Sequence, residues 1–352
     1  MKNDDPEKIL ITRLSAIGDV IHALPAVYAV RQKHPDAQID WLVEDKAYPL
    51  VSLNPYIDNV IILPRKEWKK LHREEGFFKA IKSFAAFFKK MRKKEYDIFL
   101  DLHGLFKSAF AGFLIKADLR IGPADGRELS TFLYQAKIEI PNKKMHQVER
   151  ALHLASSVGV ETEEINYGLV IPDDLKNNID IVFNTYRIPA KKKLVVINPF
   201  TTWESKNWYL SRYFELAEKL IEEGHYIIFT GSKSDREKIE KFEAINNDNY
   251  VNLAGKTSLK ELAAVYKRAD LYIGGDTGPT HLAAALGLKV ISLMGPTDSD
   301  THGPYGKGNT VIQDNSLECI GCWKRSCSRD MQCMRLITVD QVLRIAKNKL
   351  SD

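Results

Sequence analysis

The chain has no run apolar enough to cross a bilayer as a helix. Its longest stretch without a charged side chain, Thr277 to Leu288, falls well short of the roughly 18 apolar residues that a span requires. It also has no G-x-x-x-x-G-K-[ST] loop, no G-x-G-x-x-G turn, no H-E-x-x-H pair and no G-x-S-x-G elbow. The motif support for P-loop, dinucleotide-binding, zinc-protease and serine-hydrolase chemistry is therefore missing. Low-complexity tracts and short-period repeats are absent, and 44% hydrophobic with 28% charged residues is the balance of a soluble globular protein. Met1-Lys-Asn-Asp-Asp-Pro is acidic and passes straight into a strand-like run. No signal peptide is expected, and the expected location is cytoplasmic.

Cysteine is scarce and local. Cys319, Cys322, Cys327 and Cys333 are the only four, spaced C-x2-C-x4-C-x5-C with Lys324, Arg325 and Arg329 among them. Such spacing suits a closed structural zinc, or disulfides in an oxidising compartment; in a cytoplasmic protein zinc or reduced thiols are favoured. Charge is also local. Residues 65–94 hold twelve Lys or Arg against three Glu, so +9 sits in this stretch although the whole chain carries +5. Phe77, Phe78, Ile81, Phe84, Phe87, Phe88 and Met91 recur there at helical spacing, with lysines and arginines between them. That pattern fits either a helix resting on an anionic membrane surface or a core-packed helix with a solvated basic face.

At 352 residues the chain suits two domains. Apolar runs alternate with helical periodicity in two similar halves, as parallel β/α units require. Strands are expected near Ile9 to Leu14, Gln38 to Val43, Asn59 to Leu63, Tyr96 to Leu102 and Leu119 to Gly122. In the second half they fall near Leu194 to Pro199, His225 to Thr230, Tyr250 to Leu253, Asp270 to Gly274 and Lys289 to Met294. Between them the pattern weakens around Pro172, Pro189 and Lys191-Lys-Lys193. The expected division is therefore 1–170, a linker at 171–193, and 194–352, with the last helix packing back on the first domain. The expected fold class is α/β, two doubly wound Rossmann-like domains facing a central cleft, where ligands of such sheets bind.

In Tyr272-Ile-Gly-Gly-Asp-Thr-Gly-Pro-Thr-His281-Leu-Ala-Ala-Ala-Leu286 a strand stops at a glycine turn and a helix begins at Pro279. Helix-start N–H groups beside Asp276 and Thr277 would suit a diphosphate. His281, in the first turn, is either a phosphate donor or a satisfied buried histidine. Asp19, after the loop Ser15-Ala-Ile-Gly, is either an N-cap or a general base. Lys206 lies in Thr201-Thr-Trp-Glu-Ser-Lys206-Asn-Trp208, just past a strand, where an ammonium would neutralise a departing diphosphate. Asp298-Ser-Asp300 reads as a turn rather than a metal motif.

Three segments, Thr12-Arg-Leu-Ser-Ala-Ile-Gly-Asp19-Val-Ile-His-Ala-Leu-Pro25, Asn198-Pro-Phe-Thr-Thr-Trp-Glu-Ser-Lys206-Asn-Trp208 and Gly275-Asp-Thr-Gly-Pro-Thr-His281-Leu-Ala-Ala-Ala-Leu286, resemble the ADP-heptose:lipopolysaccharide heptosyltransferases of glycosyltransferase family 9. The resemblance implies a GT-B fold and inverting, metal-independent transfer, with no cofactor required for catalysis. It makes Asp19 the general base and assigns the donor phosphates to Thr201, Thr202 and Lys206. Asp276, Thr277, Gly278 and His281 would hold the diphosphate and heptose, Asp235 the ribose, and backbone near Thr257 the adenine. In its amino-terminal half the chain is most similar to members that add the first heptose to Kdo on lipid A. Arg65, Lys66, Lys69, Lys107 and Arg127 would then bind the acidic acceptor, whereas the cysteine cluster is similar to later-acting members. The partners so implied are ADP-heptose, a Kdo-lipid A or heptosylated core acceptor, and an anionic membrane surface at the inner membrane; nucleic acid is not among them. A nucleotide-sugar epimerase and a non-catalytic nucleotide-sugar-binding protein are the competing readings.

Overall fold

A computed structural model of the chain describes residues 5–162, 164–241 and 248–351. Residues 1–4, on which the signal-peptide expectation partly rests, lie outside them. The chain divides into two compact units, Met1–Val170 and Ile171–Asp352. No helix of the described residues is long and apolar enough to cross a membrane.

The first unit holds β1 (Lys8–Thr12), β2 (Gln38–Glu44), β3 (Asn59–Leu63), β4 (Tyr96–Asp101), β5 (Ala117–Pro123) and β6 (Ala136–Ile138), all parallel and ordered β3-β2-β1-β4-β5-β6. Ile9, Leu10 and Ile11 of β1 are fully buried in succession. Continuous burial, rather than alternation, marks a central strand covered on both faces. Helix Ile17–Lys33 packs on helix Gln147–Ala155 on one side of the sheet. On the other side lie Leu10, Leu42, Phe88, Met91 and Phe99. Helices Arg65–Glu75 and Phe77–Arg92 pair across Gly76, whose φ of 90° suits glycine. Trp68 packs there on Phe84, Phe87 and Phe88, with ring centroids 4.9, 5.6 and 6.1 Å away.

In the second unit β7 (Leu194–Asn198), β8 (Tyr226–Phe229), β9 (Tyr250–Asn252), β10 (Leu271–Gly275), β11 (Lys289–Leu293) and β12 (Thr310–Ile312) run parallel in the order β12-β11-β10-β7-β8-β9. This repeats the topology of the first sheet. The stretch 171–193, expected as a linker, instead carries helix Asp173–Thr185, which buries Ile179 and Phe183 and packs on helix Leu259–Arg268. Within the same unit, helix Val339–Ser351 packs on helix Leu210–Glu222 and on β10 and β11, burying Val342 and Ala346.

In each sheet the winding reverses between the first and fourth strands of the unit, β1 and β4 or β7 and β10. Crevices beyond the carboxyl ends of such strand pairs are the ligand sites of doubly wound sheets.

Candidate active site

Beyond β10 the second unit places a buried carboxylate. A side chain at Gly275 would come within 2.8 Å of Thr201 Cγ2 and 3.1 Å of the Lys206 carbonyl oxygen. The glycine therefore lets the loop after β7 lie against the end of β10. Asp276, 8% exposed, accepts at Oδ2 from Lys206 Nζ (2.5 Å) and Thr297 Oγ1 (2.7 Å), and its Oδ1 lies 3.2 Å from His281 Nε2. Burial by itself would raise the Asp276 pKa, but the His281 contact and the Lys206 charge outweigh it and hold the carboxyl well below the usual range. The Lys206 ammonium also sits 4.2 Å above the Trp203 ring. Its position is set from two sides.

Helix Gly278–Ala285 starts beside this cluster, with Thr277 extended at its N-cap position. Pro279 carries no N–H, and the Thr280 and His281 amides donate to the Thr277 carbonyl (3.0 and 3.4 Å), so what this start offers an anion is the Gly278 amide and the positive end of the helix dipole. Thr201 donates to the Trp203 carbonyl (2.8 Å), and its amide donates to Asn207 Oδ1 (2.8 Å). Thr202 is exposed. Asp235 accepts at Oδ2 from the amide and hydroxyl of Ser232, which ties its carboxylate into a turn after β8. Thr257 follows β9, on a loop joined to the first by a bond from the Gly255 amide to the Gly231 carbonyl. Lys206, Asp276 and His281 are thus in direct contact, with Thr201 packed against the same strand end.

In the first unit Asp19 is the third residue of helix Ile17–Lys33, and the N-cap position belongs to Ala16. Asp19 Oδ2 accepts from the Ala16 amide (3.2 Å), and Oδ1 pairs with Arg13 Nη2 at 3.2 Å. Arg13, just past β1, also donates from Nη1 to the Leu102 carbonyl just past β4 (2.5 Å). Beside Asp19 a small cavity is lined by Arg13, Ala23, Leu102, Gln147 and Arg150. His103, after β4, accepts at Nδ1 from the Leu14 amide (3.1 Å), which leaves the ring proton on Nε2. Burial first, then the charges of Arg13, Lys107, Arg127 and Arg65, push its pKa down to about 2. The cations that act on it include three expected on the acceptor side.

Those residues do gather near this reversal point. Lys107 Nζ donates to Ser15 Oγ (2.7 Å) and lies 3.3 Å from Glu44 Oε1, which Arg65 also meets at 2.5 Å. Lys66 pairs with Asp45, whereas Lys69 is exposed. Arg127 is tied by its amide to the Gly104 carbonyl. Sequence reasoning passed over Arg13, His103, Trp203 and Thr297, although each stands just beyond the carboxyl end of a parallel strand or on the loop that follows it.

The zinc alternative gains no support from the structure. Among the described residues no three His, Cys, Asp or Glu side chains are arranged to hold a metal. All four thiols are free, with Cys322 and Cys327 exposed and Cys319 and Cys333 half-buried. Burial, with a smaller contribution from the other three sulfurs, raises the Cys333 pKa.

His103 leads to a pH prediction. A histidine whose folded pKa is depressed leaves the unfolded chain binding more protons, so its contribution is complete above the ordinary value near 6.5 and is lost as pH falls below it. Stability by denaturant titration is expected to decline from pH 7 toward 5, and His103→Gln to flatten that decline. An equal slope in the variant would refute the assignment.

Paired doubly wound units with a buried cation and a helix start at one sheet reversal, and a carboxylate at the other, define a glycosyltransferase of the GT-B class. The chain belongs to glycosyltransferase family 9 (heptosyltransferase), which matches residues 84–332. It is 31% identical to lipopolysaccharide heptosyltransferase 1 of Salmonella typhimurium over 85% of this chain and 92% of that protein. To the lipopolysaccharide core heptosyltransferase OpsX of Haemophilus influenzae it is 28% identical over 87% and 84%. Among solved structures, the E. coli heptosyltransferase WaaC with ADP-2-deoxy-2-fluoro heptose superposes with a TM-score of 0.77 at 26% identity, covering 97% of this chain and 99% of that one.

Proposed function

We propose that this enzyme transfers a heptose from ADP-heptose to the Kdo/heptose inner core of lipopolysaccharide, with inversion and without a metal, while peripheral on the cytoplasmic face of the inner membrane. The observation that carries the proposal is the cluster in which Lys206 is fixed on Asp276 beside the start of helix Gly278–Ala285. It provides an ammonium and the positive end of a helix for a diphosphate. The similar WaaC structure holds an ADP-heptose analogue.

In the proposed step an acceptor hydroxyl oxygen forms the new bond to the anomeric carbon as the bond from that carbon to the ADP oxygen breaks. The hydroxyl proton passes to the Asp19 carboxylate, and the bonding pair leaves with ADP. Lys206 and the helix start stabilise its charge. A single displacement inverts the anomeric carbon. Thr201, Thr202, Asp276, Thr277, Gly278 and His281 take donor-side roles, Asp235 and Thr257 the nucleoside, and Arg65, Lys66, Lys69, Lys107 and Arg127 the carboxylates and phosphates of the acceptor. In the test, the purified protein is incubated with ADP-heptose and Kdo-lipid A, with UDP- and GDP-sugars as controls. A product heavier by one heptose, formed from the ADP donor at an unchanged rate in EDTA, is expected. Failure to transfer, or a need for added divalent metal, would overturn the corresponding part.

A further inference from the structure

Helix Phe77–Arg92 divides its aromatic residues in two. Phe84, Phe87 and Phe88 lie against Trp68, and Met91 is buried with them. At the amino-terminal end the apolar side chains are left outside: Phe77 is 57%, Phe78 86% and Ile81 46% exposed. The plain account of this helix as core-packed therefore holds for its second half only. Phe77 touches His72 and Phe78 by ring edges, at 6.0 and 6.1 Å, so the three residues crowd one end of the helical pair, beside the Gly76 turn. Adjacent exposed apolar residues at the tip of a hairpin are costly in water and mark a contact surface.

Charge identifies the contact. Lys69, Lys82, Lys89, Lys90, Arg92 and Lys93 are exposed and form no ion pair among the described residues. The acids of the hairpin tip are already engaged, Glu74 with Lys70 and Arg73, and Glu75 with Lys79. Phe78, Lys82, Ala85, Lys89 and Lys93 follow one another at four- and three-residue spacing, so a single stripe runs from an aromatic tip into unpaired cations. Aromatic side chains partition to the boundary of headgroups and acyl chains, and lysines beside them are attracted to anionic headgroups.

We propose that the hairpin of helices Arg65–Glu75 and Phe77–Arg92 is a membrane-docking element that inserts Phe77, Phe78 and Ile81 into an anionic lipid bilayer while the lysine stripe rests on its headgroups. This deepens the proposed function, because it rests on the acceptor being lipid-linked and names the part of the chain that meets the lipid.

Flotation of the full chain with vesicles tests it. Binding is expected to vesicles of phosphatidylethanolamine with phosphatidylglycerol, to be far weaker with phosphatidylcholine alone, and to weaken as salt rises. The double variant Phe77→Glu/Phe78→Glu is expected to lower partitioning by about tenfold or more, from the apolar burial lost. Because both side chains are exposed, its melting temperature and its transfer to a short-chain, soluble acceptor should match the unaltered enzyme. Emission of Phe78→Trp should be quenched by brominated acyl chains beyond the quenching of the parent. Absence of binding to anionic vesicles, or equal binding by the double variant, would overturn the proposal. Loss of transfer to every acceptor by the parent enzyme would instead refute the heptosyltransferase reading and leave the vesicle result standing.

Discussion

Replacement of Asp19 by alanine is expected to lower kcat by about 10²- to 10⁴-fold, the range that a positioned general base supplies, and to leave ADP-heptose affinity unchanged. The split follows from placement. Asp19 belongs to the first unit, in the first turn of the helix that follows β1, whereas the residues proposed for the diphosphate stand after β7 and β10 of the second. Asp19→Asn should lose as much turnover as Asp19→Ala, since the amide keeps the shape but accepts no proton. The structural cost of Asp19→Ala is the Ala16 amide's acceptor and the carboxylate beside Arg13, about 1.5–3 kcal/mol for a hydrogen bond to a charged group, while the Leu102 carbonyl still holds the guanidinium. Single-turnover transfer together with calorimetric titration of ADP-heptose separates the two effects. Full turnover by Asp19→Asn would remove Asp19 from the role of base.

Much of the fold is legible in the sequence because parallel strands buried on both faces read as continuous apolar runs. Ile9-Leu-Ile and Leu194-Val-Val-Ile stand out for this reason, and they become the central strands β1 and β7. Two of the four edge strands, β6 and β12, were not read from the sequence; each has only three residues, Ala136–Ile138 and Thr310–Ile312. The stretch read as a linker carries a helix that leaves a weak signal in the sequence. Prolines and lysines at 171–193 mark the ends of helix Asp173–Thr185, whose buried stripe rests on only Ile179 and Phe183.

The cluster of Lys206, Asp276 and His281 was legible as residue types at strand ends, since a glycine pair followed by Asp, Thr, Gly and Pro is chemistry that a strand-to-helix turn can use. Its internal wiring was not. That Lys206 bonds Asp276, 70 positions away, follows from β7 and β10 being neighbours, and adjacency in a sheet is tertiary information. Arg13 escaped because its pairing with Asp19 needs the β1 and β4 loops side by side, where the Leu102 carbonyl holds the guanidinium.

The second large effect is expected at the buried pair. Lys206→Met should lower kcat by about 10²- to 10³-fold through the charge no longer offset on the departing ADP, and Asp276→Ala should destabilise the enzyme by about 3 kcal/mol, the scale for stripping one partner from a buried ion pair. The carboxylate is held by three groups, Lys206, His281 and Thr297, so Lys206→Met leaves it two partners and should unfold less readily than Asp276→Ala. Acid stability distinguishes a real pair from mere proximity. With its folded pKa depressed, Asp276 contributes stability above the ordinary carboxylate value near pH 4, and that contribution is lost as pH falls through and below this value. Without Lys206 the depression shrinks, so Lys206→Met should be most deficient, relative to its parent, above pH 4, and the gap should close as acid is added. A double-mutant cycle of Lys206→Met and Asp276→Ala, followed by denaturant titration and by transfer rate, should show strong coupling in both. Additive losses would mean that the contact does not anchor Lys206, and the diphosphate would have to be held by the helix start alone.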